Sequence, residues 1–166
     1  MRRAVISAIA FAVAAPLFLL GSIPEAHAAT SCSGSSCTGL LAANTTCASD
    51  AVVEEQTNIV EGGTSTVIGN IQLKYSPSCR ATWARVLDDY TGGPPWAEIK
   101  SSSSSIPTKS CNGTGVAGTG CNTVMIDDLN LTSVASGGAE GPQIPCKPPT
   151  SCGPDDFNSA STSPPF

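Results

Sequence analysis

Eight cysteines and no histidine occur between Ala29 and Phe166, the chain's one imidazole being that of His27. Cys32, Cys37, Cys47, Cys79, Cys111, Cys121, Cys146 and Cys152 form an even set. In an oxidising compartment such a set reads as a disulfide framework. The chain needs one, because Leu, Ile, Val and Phe together supply only 23 of residues 29–166. That share lies below the roughly 20% at which a charged chain begins to resemble a disordered one. Four bridges at ~2–4 kcal/mol each would match the net stability of an ordinary domain. Eight cysteines allow on the order of a hundred pairings. We expect the first four to pair among themselves, Cys111 with Cys121, and Cys146 with Cys152. The absence of Cys-x-x-Cys argues against a thioredoxin-like redox site. The gaps are also wider than the tight pairs usual in four-cysteine zinc sites.

Residues 1–28 carry the parts of an export signal. Arg2 and Arg3 are followed by the apolar run Ala4–Leu20 and by the small-x-small triplet Ala26-His27-Ala28. Cleavage after Ala28 would release a secreted, extracellular protein with no membrane association. The expected organisation is then a signal peptide over 1–28, a secreted β-domain over 29–136 and a largely disordered Pro/Ser/Gly-rich tail over 137–166. Past Ala28 the basic residues are Lys74, Arg80, Arg85, Lys100, Lys109 and Lys147, against twelve acidic ones. That balance disfavours nucleic acid, whose phosphates require clustered Lys and Arg.

From Ala51 the pattern is strand-like, with Gly62-Gly63 and Gly69-Asn70 read as turns. Ile71, Leu73 and Tyr75 alternate with Gln72 and Lys74, the period of a half-buried strand. Ser76-Pro77-Ser78 supplies a turn. Arg80–Leu87 then fits the second strand of a hairpin, with Ala81, Trp83, Arg85 and Leu87 on one face; a helix is the alternative for these residues. Trp96–Lys100 and Asn122–Ile126 read as further short strands, and Leu129–Ala135 as a continuation of the latter. No segment has a sustained helical stripe. The fold class is therefore mainly β, a small disulfide-stabilised sandwich or open barrel with long Gly/Ser/Pro-rich loops.

Without histidine, no Ser-His-Asp or Cys-His arrangement is possible past Ala28. The paired aspartates Asp88-Asp89, Asp127-Asp128 and Asp155-Asp156 lack the alternate spacing of an EF-hand loop and read as turn formers rather than calcium ligands. No motif calls for a cofactor, and no catalytic or metal-binding residue is assigned. The most concentrated polar group is Lys74, Arg80 and Arg85, set among Tyr75, Trp83, Tyr90 and Trp96. A guanidinium beside an aromatic ring can hold an anionic polymer or carboxylate while the ring stacks on a sugar or peptide. Lys74, Tyr75, Arg80, Trp83 and Arg85 are thus the candidate ligand-binding residues. The competing reading buries Tyr75 and Trp83 in the core and pairs the arginines with Glu54, Glu55 or Asp88.

The stretch Leu73-Lys74-Tyr75-Ser76-Pro77-Ser78-Cys79-Arg80-Ala81-Thr82-Trp83-Ala84-Arg85 resembles the signature of an uncharacterised family of small secreted proteins of Gram-positive, mainly actinobacterial, origin. Cys32, Gly34, Cys37, Gly39, Cys47 and Asp50-Ala51 upstream, and Thr123–Asp127 downstream, fit the same resemblance over about Ser31–Ser136. Val134-Ala135-Ser136-Gly137 departs from it, where the family has Ala-Cys-Gly. The resemblance implies location and fold but no catalytic residue. The expected function is a secreted, disulfide-stapled binding module, with cell-wall polysaccharide, a peptide or a secreted protein as partner. The alternative is a small carboxylate-dependent hydrolase or an enzyme inhibitor. Intact-mass analysis of the exported protein should show an N-terminus at Ala29 and the loss of eight thiol hydrogens; free thiols throughout would contradict the framework.

Overall fold

A computed structural model describes residues 29–141 and 157–162. The expected signal peptide, Cys146 and Cys152 with their expected pairing, and Asp155-Asp156 lie outside the described residues. Among these residues three short 3-10 turns, Gly34–Cys37, Ala42–Asn44 and Thr46–Ser49, precede nine strands. The strands are β1 (Val52–Val60), β2 (Val67–Ser76), β3 (Ala81–Asp88), β4 (Trp96–Ser101), β5 (Lys109–Asn112), β6 (Gly120–Asn122), β7 (Ile126–Asp127), β8 (Ser133–Glu140) and β9 (Phe157–Ser161). They form two antiparallel sheets that do not close into a barrel, so of the two architectures expected it is the sandwich that forms. The first sheet runs β1-β2-β3-β6, with β7 also on β3; the second runs β5-β4-β8-β9.

The hairpin read in the sequence is β2–β3, in register from Gly69↔Asp88 to Ser76↔Ala81. Directly paired residues share a face. Ile71 and Leu73 therefore stand with Val86 and Ala84 on the inner face, against Ile99 of β4 and Ala135 and Ala139 of β8. β8 meets these bulky side chains with small ones. A Cβ on Gly137 would lie 2.7 Å from Ile71 Cδ1, so a larger residue there would push the sheets apart.

Three details differ from the sequence reading. Gly69-Asn70 is not a turn but lies inside β2; a Cβ on Gly69 would approach the Leu87 carbonyl to 2.4 Å, so the glycine permits close strand pairing. Asn122–Ile126 is not one strand. Between β6 and β7 the Thr123 amide donates to the Ala84 carbonyl, while the Thr123 hydroxyl accepts the Ala84 N–H, so a side chain replaces one rung of the ladder. The division at 136/137 falls within β8, and β9, well inside the supposed tail, pairs with β8. The composition there suggested disorder, yet Ser, Gly and Ala are the sizes that the narrow inter-sheet space admits.

Among the described residues three disulfides are formed: Cys32–Cys37, Cys47–Cys79 and Cys111–Cys121. All three agree with the expected grouping. Cys111 of β5 and Cys121 of β6 tie the edges of the two sheets together, with Cα atoms 6.0 Å apart. Cys47–Cys79 ties the N-terminal segment to the β2–β3 turn. From chain entropy, opening a bridge of separation 10 costs about 2.7 kcal/mol and one of separation 32 about 3.7 kcal/mol. Denaturant unfolding of C47S/C79S should show the larger loss, and that of C111S/C121S the smaller.

Candidate ligand-binding cleft

β3 is covered on both sides. Its outer face carries Ala81, Trp83, Arg85 and Leu87, as the alternation anticipated, and receives the N-terminal segment. Trp83, 3% exposed, packs with Cys37, Ala42, Cys47, Cys79, Ala81 and Met125 in a second, smaller apolar cluster. Backbone bonds hold the segment down: Gly39 N–H donates to the Met125 carbonyl at 2.9 Å and Met125 N–H to the Leu40 carbonyl at 2.8 Å.

The segment does not cover the whole face. Along its margin a cleft of about 480 Å³ remains. The N-terminal segment lines it with the apolar Leu41, Ala42, Ala43, Ala48 and Ala51, and the sheet lines it with Lys74, Trp83, Arg85 and Asn122. Cross-strand pairing explains the convergence: Lys74 stands opposite Trp83, and Arg85 opposite Asn122. Burial lowers the Lys74 pKa, and the like charge of Arg85 lowers it further. No carboxylate lines the cleft, and among the described residues neither Lys74 nor Arg85 forms an ion pair. Beside Arg85, the buried Gln72 donates to Gln56 Oε1 at 2.7 Å while its own Oε1 has no partner. Two cations, an aromatic ring and an apolar wall can hold an anionic group attached to an apolar body.

Of the five candidate residues, the fold brings together Lys74, Trp83 and Arg85. Tyr75 pairs with Thr82 and so lies on the other face of the sheet. Arg80 is exposed in the β2–β3 turn at φ +49°. Arg85 does not pair with Glu54, Glu55 or Asp88. Asp88 is fully buried; its Oδ1 accepts the Tyr90 N–H at 3.1 Å, its Oδ2 has no partner, and burial raises its pKa. Asp127 and Asp128 are turn acids, accepting the Leu129 N–H and the Ser133 hydroxyl respectively. The sequence reading missed the cleft wall, which consists of small residues scattered among the first cysteines and has no pattern of its own.

It also missed the latch that sets the wall's position. Asp50 Oδ1 accepts the buried Ser76 hydroxyl at 2.5 Å, and Oδ2 accepts the Ser78 N–H at 2.8 Å. The Cys79 N–H donates to the Ser76 hydroxyl at 3.3 Å, and the Gly34 N–H to the Cys79 carbonyl at 2.6 Å. Much of the Tyr-Ser-Pro-x-Cys-Arg stretch thus serves to anchor the N-terminal segment on the turn.

Over residues 35–136 the chain matches the model of a family described as "Protein of unknown function (DUF2690)". No curated protein and no solved structure matches it. The matched span contains the latch and the whole cleft and begins just after Cys32. Hydrogen bonds from Ser76 and Ser78 hold the Asp50 carboxyl below its ordinary value of 3.8. Above the unfolded pKa of about 4 the stabilisation is fully present, and it is lost as pH falls through the lower folded value. Asp50→Asn should therefore weaken the fold at pH 7 and remove part of its acid sensitivity, read as unfolding midpoints between pH 7 and pH 2.

Proposed function

Since the chain belongs to the DUF2690 family of proteins of unknown function, we propose its role from its own chemistry: an exported binding module that takes an anionic ligand with an apolar portion in the cleft between the N-terminal segment and β2–β3. One observation carries this reading. Lys74 and Arg85 line one cleft with Trp83, partly buried, and among the described residues neither is paired with an acid. Two like charges brought together at an aromatic base cost the fold stability, and a bound anion would offset that cost. The leader-like residues 1–28 and the disulfides support export, with 29 as the start of the working protein. The resemblance of Leu73–Arg85 to secreted Gram-positive proteins supports a site of action at the cell envelope or in the medium. Cell-wall polymer, peptide and secreted protein all offer suitable anions. A carboxylate-dependent hydrolase finds no acid in this cleft, and an inhibitor would use the same surface.

Binding to isolated cell wall, measured by co-sedimentation, should weaken roughly tenfold for Arg85→Ala and for Lys74→Ala, corresponding to ~1.5 kcal/mol for a charged hydrogen bond. It should also weaken with added salt. Arg80→Ala should bind as the unaltered protein does. Undiminished binding by Arg85→Ala would remove the cleft from the mechanism.

A further inference from the structure

We propose that the reduced form of the Cys32, Cys37, Cys47 and Cys79 cluster is a tetrathiolate site for a zinc ion. This goes beyond the cleft and does not depend on it. Spacing along the chain argued against such a site, but folding overrides spacing. All four sulfurs lie within 4.8 Å of one another. Between the two bridges, Cys32 Sγ stands 3.4 Å from Cys47 Sγ, and Cys37 Sγ stands 3.9 Å from it. Zinc–sulfur bonds of about 2.3 Å place tetrahedral thiolates about 3.8 Å apart. These two distances lie within about 0.4 Å of that edge. Within each bridge the sulfurs need only separate by somewhat under about 1 Å apiece.

The site must survive loss of the bridges that now define it, and the backbone provides for this. Gly34 N–H donates to the Cys79 carbonyl, Thr30 N–H to the Asn44 carbonyl and Thr46 N–H to the Thr30 carbonyl. The Asp50 latch fixes the Ser76–Cys79 turn. These contacts hold the strand turn and both cysteine-bearing loops together without any sulfur–sulfur bond. Ser78 Oγ, 3.8 Å from Cys79 Sγ, supplies a donor to thiolate. Cys32 is partly exposed, giving an entry path, while Cys37, Cys47 and Cys79 are buried.

The chemistry balances with a dithiol reductant. Two dithiols deliver four electrons and four protons, each becoming a cyclic disulfide as one protein disulfide becomes two thiols. Zinc then displaces the four protons and leaves a centre of net charge −2. The same four residues therefore have two closed states, a bridged one under oxidising conditions and a metal-bound one under reducing conditions.

The test uses the full chain reduced anaerobically with a phosphine, and cobalt(II) as the spectroscopic probe. The expected result is one cobalt per chain, with tetrahedral d–d bands and thiolate charge transfer, displaced by one equivalent of zinc. C111S/C121S and C146S/C152S should retain it. Cys79→Ser should lose it, and Cys32→Ser, at the exposed edge, should lower the charge-transfer intensity by about a quarter. If Cys79→Ser does not fold, Cys32→Ser decides. Absence of tetrahedral bands at one equivalent of cobalt overturns the proposal, as does an unchanged spectrum in Cys32→Ser.

Discussion

The structure depends on the covering of β3 from both sides. One face is met by the second sheet, which has its own hydrogen-bonded ladder. The other is met by residues 30–51, which form only 3-10 turns and one isolated bridge. Ordering each such residue costs ~1–2 kcal/mol of backbone entropy. The apolar return from Cys37, Ala42, Cys47 and the Trp83 ring is small beside that sum. Covalent closure at Cys47–Cys79 and the Asp50 latch lower the entropic cost and fix the segment at a single place, the β2–β3 turn.

The cleft follows from the same arrangement. A cover pinned at the turn, and made of alanines further out, leaves the middle of the β2–β3 face only partly shielded. Lys74 and Arg85 stand there because alternation puts them on the outer face with Trp83. Both are half-buried, and the Arg85 charge acts on Lys74 in that restricted space. Among the described residues no acid relieves the positive charge where the covering is incomplete, although the chain as a whole is acidic. The contrast between local and overall charge makes the position distinctive.

The hairpin was legible because period-two alternation is a local property, and Pro77 with its serines marks the turn. The Cys111–Cys121 pairing was legible for the same reason, since a short loop brings near neighbours together, whereas Cys47–Cys79 spans 32 residues. Alternation also separates Tyr75 from Lys74, but proximity in sequence had grouped them. What stayed hidden depends on distant partners. Thr123 breaks a strand because its hydroxyl reaches Ala84, and Ser133–Glu140 is a central strand because Ile71 needs a glycine opposite it. Neither fact has a signature in the residues themselves. Wide cysteine spacing likewise concealed how closely four sulfurs converge.

The stretch from Leu73 to Arg85 combines two kinds of constraint that a motif alone cannot separate. Ser76, Cys79 and Ala81 are buried scaffold, Thr82 bonds the Lys74 carbonyl through its hydroxyl at 2.7 Å, and Arg80 occupies a left-handed turn position. Among the described residues, only Lys74 and Arg85 present charged groups to the cleft, and neither group has a scaffold bond. Leu73–Arg85 is therefore mostly a record of how the N-terminal segment is fastened, and only its outer-face positions Lys74, Trp83 and Arg85 reach the cleft. The complementary half of the site comes from Leu41–Ala51, outside that stretch. The position of that wall accordingly rests on Cys47–Cys79 and on the Asp50 carboxylate, which fasten its segment to the β2–β3 turn.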